Sequence, residues 1–585
     1  MDHTGKMSLK AFWEAVEQRL AACSADDLRA ILRTMAQETP PTGRQIFLAR
    51  LKPVEGATMA APPVIQQEEL LADIDDLAQE LGSAVENADE WEEQYEWDEY
   101  YDEEDSLGPY DEFVEPLADL FERTGATFDY GNLSLARAAY LKLFGLVRFE
   151  DGYGRGVSAS DLVGVDVGEA SARYLRAVYE TEPAARRPQA LYEQMRQVQS
   201  WLIGSHPTLD DLVQISPHPL PDRERFLADW IAFLQTQSGS DADAWLREAV
   251  RLAQGTPGLE ALAQAEGQTR PRAYLDWFTA LEQEGKQREV LAAARDALQT
   301  LPARLPIRAA IADHLCAAAE RLNETEALRL GRWEAFTARP TLSRLLDLWE
   351  TAAAGAERTA LMQRAVEHIR DYLAHPPGRQ AEVGWSGDNL ERPARIGQSV
   401  LAHACLLADD ADAAYHLAAR GKVLGWSSSE SAQGLVVSAC LVLLSGKTPA
   451  ALPPNLVQLW QWGLQNSVAP WGEGGEQEGS VLKRLERAYA EQFAQAQWST
   501  DRQEQFLSWC LDVARQRANA IVSNQHRGSY GKAAVLTVAC AEALRLRGDK
   551  AAADALVNEV RSRFPRHRAF QAELEAALQR MERSM

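Results

Sequence analysis

One spacing of small residues recurs along this chain and constrains its fold more than any other feature. Gly285 is followed five residues later by Val290, nine residues later by Ala294 and seventeen residues later by Pro302. The related segments keep all or part of this spacing: Gly131 with Ala136 and Tyr140; Gly239 with Ala244 and, one residue late, Pro257; Asp409 with Ala414 and Ala418; Gly548 with Ala553, Val557 and Pro565. After Tyr110, strand signals are scarce and amphipathic segments with helical spacing follow one another. The sequence therefore predicts an all-α chain built from repeated helix pairs.

The recurring spacing fits two antiparallel helices joined by a tight turn. Glycine tolerates the positive φ of such a turn, small side chains let the second helix approach the first closely, and proline ends the second helix. These segments resemble tetratricopeptide repeats, although the Trp-Leu-Gly-Tyr signature of the first repeat helix is mostly missing. The resemblance implies an α-α superhelix whose inner helix faces bind a protein or peptide. A plain helical bundle is the alternative.

A second likeness is carried by two pairs of stretches: residues 328–336 (LRLGRWEAF) with 339–349 (RPTLSRLLDLW), and residues 527–534 (RGSYGKAA) with 564–570 (FPRHRAF). They resemble the helical region that follows the zinc module in bacterial SWIM zinc-finger proteins. The zinc module itself requires Cys-x-Cys and a later Cys-x-His, and the sequence contains neither. The resemblance therefore implies a helical scaffold without the zinc or nucleic-acid role of that module.

An acidic segment stands apart from the helical pattern. Between Lys52 and Arg123 there is no Lys or Arg and there are 24 Asp or Glu, which account for nearly all of the net charge of −26. Residues 86–105 hold twelve of these carboxylates, interleaved with five aromatic residues: Trp91, Tyr95, Trp97, Tyr100 and Tyr101. Like charges extend such a segment, and aromatic residues favour a short recognition element within it. We call residues 86–105 the acidic tract.

These patterns predict four parts: an N-terminal helical hairpin over 1–52, an acidic, aromatic-containing linker over 53–110, a tetratricopeptide-like array over 111–445, and a C-terminal helical domain over 446–585 that ends in a related repeat. In the hairpin, Ser24 and the acidic residues after it predict a helix N-terminus. Within the linker, residues 68–81 are helix-like.

The cysteine pattern and the hydropathy bear on the compartment. Six cysteines lie far apart without paired spacing, which favours free thiols in a reducing compartment. No cationic, apolar signal segment precedes Met7, and no apolar run reaches the roughly 18 to 20 residues that span a bilayer. We therefore expect a soluble, cytoplasmic protein without membrane contact.

The overall charge bears on the kind of partner. A pI near 4.9 argues against direct binding to nucleic acid, because such surfaces gain affinity when Lys and Arg replace condensed counterions. A local basic patch formed by Arg527, Lys532 and arginines of 561–568 stays open as an exception.

No constellation of residues in the sequence indicates catalysis, a cofactor or a metal ion. The glycines of 152–156 lack the preceding strand of a phosphate loop, so an inter-repeat loop that exposes Arg155 is the favoured interpretation. His403 and Cys405, with His416 and Cys440 nearby, are the densest His/Cys group, but residues two apart on a helix point to different faces.

Two tryptophans differ from the others, which fall on helical faces where core packing is expected. Trp385 and Trp426 each follow a glycine and precede small polar residues, so they either hold an inter-helix loop or stand at a recognition surface. With Arg155 and the aromatic residues of the acidic tract, they are the candidate partner-binding residues.

The function expected from these observations is that of a non-enzymatic protein–protein interaction scaffold, adaptor or regulatory subunit. Its helical surface and acidic tract would bind a protein partner. Two alternatives remain: a regulator in a bacterial defence or signalling pathway that a partner protease cleaves, and an acidic mimic of DNA that inhibits a nucleic-acid-binding protein.

Overall fold

The computed structural model places most of the 585-residue chain in helices. The described residues are 15–16, 18–19, 22–38, 64–86, 107–148, 156–202, 206–377, 390–428, 430–468 and 478–583. Within these ranges the regular structure is helical and contains no strand, which confirms the predicted all-α class. The chain forms two compact units: unit 1 extends to Ala261 and unit 2 begins at Leu262.

Nine α-helices begin in the described part of unit 1: α1 (Ala25–Glu38), α2 (Val64–Glu86), α3 (Val114–Asp129), α4 (Leu133–Leu146), α5 (Val167–Thr181), α6 (Arg187–Trp201), α7 (Leu209–Gln214), α8 (Arg223–Gln235) and α9 (Ser240–Glu266). From α3 to α6, each helix packs against the next one in sequence. Helix α1 begins after Ser24 as predicted, because the Ser24 hydroxyl accepts a hydrogen bond from the backbone N–H of Asp27 at 3.2 Å.

Helix α2 lies within the stretch predicted as a linker, and it is packed. It contacts α3 and α4 and buries one apolar stripe at helical spacing: Leu70, Ile74, Leu77 and Leu81. On its polar side Asp73 pairs with Arg123 at 2.5 Å and Asp75 pairs with Lys142. The helix-like segment is therefore confirmed and longer than predicted, and residues 64–86 belong to the core of unit 1 rather than to an extended linker.

Fifteen α-helices follow in the described part of unit 2: α10 (Arg272–Gln283), α11 (Gln287–Thr300), α12 (Arg308–Leu322), α13 (Thr325–Ala338), α14 (Leu342–Thr351), α15 (Ala356–Ala374), α16 (Gln398–Leu407), α17 (Ala411–Ala419), α18 (Gln433–Leu444), α19 (Pro454–Ser467), α20 (Glu478–Gln495), α21 (Thr500–Ser523), α22 (Tyr530–Leu546), α23 (Lys550–Arg563) and α24 (Arg568–Arg583). Its largest core joins buried residues from Phe336 to Val557. The predicted boundary at 445/446 therefore lies inside one shared core.

The predicted turns of the recurring spacing share one backbone geometry. The residue at the turn has φ between 59° and 87° at Gly131, Gly285, Asp409 and Gly548. At Gly285 its N–H donates to the carbonyl of Glu282, and the next N–H donates to the carbonyl of Leu281. This pair of bonds closes the end of a helix when one residue adopts the left-handed conformation. The predicted positive φ is confirmed, and the tetratricopeptide resemblance remains a prediction.

The segment after Gly239 departs from the spacing. Gly239 has φ 105°, but Ala244 is only half-buried and Pro257 lies inside α9. The chain kinks at Gly255, where φ is 62° and ψ is −153°. Pro257 therefore lies in the first turn of the helical segment after the kink, where a missing N–H is tolerated, and it does not act as the predicted stop signal.

Candidate functional site

A pocket of about 250 Å³ opens in unit 2 between α18, α19, α21 and the loop that follows α17. The loop contributes residues 424–427, α18 contributes Leu435, α19 contributes Trp462 and Ser467, and α21 contributes Arg517. The turn before α22 and its first residues form part of the mouth. We call this cavity the Arg517 pocket.

The loop after α17 is held in place by Gln433. Its amide nitrogen donates to the carbonyls of Ala418 and Gly421 at 3.1 and 3.2 Å, and its oxygen accepts from the Trp426 indole N–H at 3.1 Å. A Cβ on Gly434 would lie 3.1 Å from the indole ring, so a side chain there would crowd the ring. Trp426, which is only 9% exposed, therefore has one ring face packed on the backbone of α18.

The Arg517 guanidinium lies near the Trp426 ring, with its central carbon 4.0 Å from the indole centroid. One amino group, Nη1, donates to the carbonyl of Val423. Nε and Nη2 form no hydrogen bond with any described residue. Neither nitrogen is fully enclosed by the protein. They are therefore accessible to solvent, and Arg517 lines the pocket. Such a cation–π contact contributes about 0.5 to 2 kcal/mol and fixes the guanidinium in place.

Arg517 has an unusual charge environment. Its side chain is 94% buried, with 6% exposed, and it forms no ion pair with the described carboxylates. The pocket lining contains Arg517, Lys532 and His526 but no Asp or Glu. Burial lowers the pKa of Arg517 to about 10, so the side chain is still charged at neutral pH. A buried cation without a counterion is costly, and an anion in the pocket would offset that cost.

A second polar group in the pocket wall also lacks a partner. The Ser431 hydroxyl oxygen is buried and makes no hydrogen bond. A hydroxyl donates one hydrogen bond and accepts up to two, and leaving it unpaired costs about 1 to 3 kcal/mol. Because the Ser431 oxygen is fully enclosed, it is not available to a ligand, and Arg517 is the buried charged group that the pocket presents.

Behind the pocket, His403 forms a closed hydrogen-bond network. Its Nδ1 lies 2.7 Å from the Tyr489 hydroxyl and its Nε2 lies 2.8 Å from the Ser467 hydroxyl. Ser467 also donates to the carbonyl of Leu464 at 2.6 Å. All donors are satisfied when His403 donates through Nε2 and accepts from Tyr489.

The His403 network resembles a nucleophile–base pair in outline, but its electrostatics do not favour catalysis. Burial lowers the pKa of His403 to about 3 and raises that of Tyr489 well above its usual value. A histidine with so low a pKa is a weak general base at neutral pH. The hydroxyl of Ser467 is already committed to Leu464, and Tyr489 is not an anion that would stabilise an imidazolium.

His403 and Cys405, the two neighbouring members of the densest His/Cys group in the sequence, have different surroundings. His403 uses both ring nitrogens on hydroxyl partners, whereas burial raises the pKa of the Cys405 thiol to about 12. In the part of the chain that the structure describes, no group of three or more His, Cys, Asp or Glu side chains is arranged to hold a metal ion.

Unit 2 also carries a set of exposed basic residues, one of which, Lys532, lines the pocket mouth. We call them the basic surface: Arg527, Lys532, Arg563, Arg566 and Arg568, all of which are exposed. They flank a cluster of rings in which Phe570 contacts Tyr530 at 5.9 Å and Phe564 at 5.7 Å between centroids. None of the five pairs with a described carboxylate, although their neighbour Arg561 pairs with Glu575.

Most of the predicted partner-binding residues fall outside the described ranges: Trp91, Tyr95, Trp97, Tyr100, Tyr101, Arg155 and Trp385. Trp426 is described, and it holds an inter-helix loop while also lining the pocket. Sequence reasoning missed Arg517. A signal was present, because Arg517 occupies a position on the apolar stripe of α21 between Val513 and Ile521.

Comparisons with known proteins do not assign the chain to a family. No protein-family model matches it, and no curated protein has a significantly similar sequence. Among the described helices, none is both long and apolar enough to cross a bilayer.

Proposed function

We propose that this chain is a non-enzymatic interaction scaffold whose basic surface binds an acidic segment of a protein partner. The observation that carries the proposal is the basic surface itself: five exposed cationic side chains without described acidic partners, in a chain whose net charge is −26. Opposite charges across an interface speed encounter and select the partner. The exposed guanidinium groups offer planar, bidentate contacts to carboxylates.

The acidic tract supplies the second part of the proposal. Its carboxylates and interleaved aromatic residues would either contact the partner directly or cover the chain's own basic surface until a partner displaces them. We expect a protein partner in the cytoplasm rather than nucleic acid or a membrane. Cleavage by a partner protease and mimicry of DNA remain alternative interpretations of the same tract.

The test is affinity capture with the full chain and two matched triple variants. One variant reverses charge on the basic surface (Arg563→Glu, Arg566→Glu and Arg568→Glu). The control reverses three exposed basic residues elsewhere in unit 2 (Arg288→Glu, Lys483→Glu and Arg487→Glu). Captured proteins and nucleic acids are both identified, and the binding of each is measured at low and high salt.

We expect one acidic protein that the wild type and the control capture and the basic-surface variant loses. The same protein captured equally by all three would contradict the proposal. Loss of a nucleic acid instead of a protein would show that the basic surface serves a different class of partner. A variant without residues 86–105 then shows whether the acidic tract adds affinity or lowers it.

A further inference from the structure

The Arg517 pocket has features of a small-molecule site that the proposed scaffold function does not require. Sites for small ligands are concave, mainly apolar, and equipped with a few placed polar groups. This cavity has apolar walls from Leu435, Leu459 and Ile521 together with the half-buried Trp462. Its volume of about 250 Å³ lies just below the roughly 300 to 1,000 Å³ of sites for drug-sized ligands. It suits a compact ligand.

We infer that this pocket binds a small monocarboxylic acid with an apolar body. The carboxylate would accept hydrogen bonds from Nε and Nη2 of Arg517, the two guanidinium nitrogens without a partner. These atoms form one edge of the fork, whose spacing matches the two oxygens of a carboxylate. The apolar body would lie against Trp462 and the aliphatic wall.

The charge balance favours a carboxylate over a phosphate. One guanidinium is buried in the pocket, whereas Lys532 and His526 are exposed at its mouth. A carboxylate carries one negative charge and would be matched by Arg517 alone. A phosphate group carries about −1.5 to −2 at neutral pH, so Arg517 would match only part of its charge and the rest would depend on the exposed Lys532 at the mouth.

The residues around Arg517 fix the orientation of its guanidinium. Trp426 covers one side of the guanidinium and Val423 accepts from Nη1, which fixes its orientation before a ligand arrives. Gln433 fixes Trp426 in turn. Preorganisation of this kind reduces the entropy lost on binding.

The test uses calorimetric titration of the full-length protein with benzoate, phenylacetate, 3-phenylpropionate, indole-3-acetate and hexanoate. The amide of each acid is the neutral control, and phenyl phosphate is the dianionic control. We expect at least one acid to bind about tenfold or more tightly than its amide and more tightly than phenyl phosphate. Arg517→Met should lower its affinity at least tenfold, and Arg517→Lys should restore only part of it.

One further variant keeps the result interpretable. Arg288→Met changes an exposed basic residue outside the pocket lining and should leave the affinity unchanged. A melting curve of Arg517→Met checks that the variant is folded. The inference is overturned if no acid binds below about 10 mM, if each amide binds as well as its acid, or if a folded Arg517→Met variant retains the affinity. Partner capture by the basic surface is a separate readout, so either proposal can fail alone.

Discussion

Two buried arginines in unit 2 have nearly equal exposure and opposite surroundings. Arg308 is 5% exposed and Arg517 is 6% exposed. Arg308 donates through Nη1 to the carbonyls of Leu298 and Leu301, each at 2.6 Å, and through Nη2 to Glu334. Arg517 donates to one carbonyl, contacts Trp426, and has no carboxylate partner among the described residues.

The contrast shows why burial of a charged residue does not by itself reveal its role. Arg308 satisfies carbonyls at the C-terminal end of α11, which have no partner within that helix, so its charge serves the fold. Both arginines line cavities, but Arg308 is paired with Glu334, whereas Arg517 has no carboxylate partner among the described residues. The charge of Arg517 is therefore left for a ligand. Arg308 also has one nitrogen, Nε, without a hydrogen bond, so the missing carboxylate partner is what distinguishes the binding site from the structural clamp.

The largest expected effect comes from removing Arg308, the arginine that is paired with a carboxylate. Arg308→Met leaves Glu334 without its partner and two carbonyls without donors, which should lower the local stability by about 3 kcal/mol. Hydrogen exchange of the α12 and α13 amides measures this loss without assuming two-state unfolding of the whole chain. Protection equal to that of the wild type would remove the distinction between the two arginines.

The buried His403 behind the Arg517 pocket should make the stability of its surroundings depend on pH. The pKa of His403 is lowered from 6.5 to about 3 in the folded protein, so the unfolded chain binds the proton first. The stabilising contribution is complete above pH 6.5 and is lost as the pH falls toward 3, by about 1.4 kcal/mol per pH unit.

The matched variant for this effect is His403→Gln. Between pH 6.5 and 3, the stability of this variant near α16 should depend less steeply on pH than that of the wild type, because the variant lacks one titrating group. Parallel pH profiles for the two proteins would show that His403 is not buried in its neutral form.

A smaller effect is expected at a turn that lies in neither arginine site. Gly285 has φ 75°, and a side chain in the left-handed region costs about 1 kcal/mol. Gly285→Ala should therefore lower the local stability of α10 and α11 by about this amount. Lys286 in the same turn has φ −84°, so Lys286→Ala serves as the control. Equal effects of the two substitutions would contradict the backbone explanation.

The smallest expected effect on stability is that of Arg517→Met. Removing a buried cation without an ion-pair partner relieves its desolvation cost while it loses one hydrogen bond and the indole contact. These terms oppose each other, so the local stability near α21 should change by less than about 1 kcal/mol. A loss as large as that of Arg308→Met would show that Arg517 is also a structural clamp.

The sequence predicted the features that depend on local backbone chemistry. The turn at Gly285 follows from the conformational freedom of glycine, and the start of α1 follows from the capping hydroxyl of Ser24. Helix α2 was only partly predicted, because the acidic composition around it suggested a linker although its apolar spacing was visible. Net charge describes a segment's solvation, whereas the spacing of Leu70 and Ile74 determines whether it can pack.

The candidate site was predicted only in part because it depends on distant segments. Trp426 was singled out, and the position of Arg517 on an apolar stripe was readable from the sequence. The missing counterion was not readable, because it depends on which carboxylates the fold brings close to α21. The contact of Ser467 with His403, 64 residues apart, was hidden for the same reason.

The most direct test of the central claim is a crystal structure of the full-length protein with the tightest-binding acid of the calorimetric series. We expect the carboxylate on Nε and Nη2 of Arg517, with Nη1 still bound to the Val423 carbonyl and Trp426 still beside the guanidinium. An Asp or Glu of the chain paired with Arg517, or an acid bound elsewhere while the guanidinium edge stays empty, would contradict it.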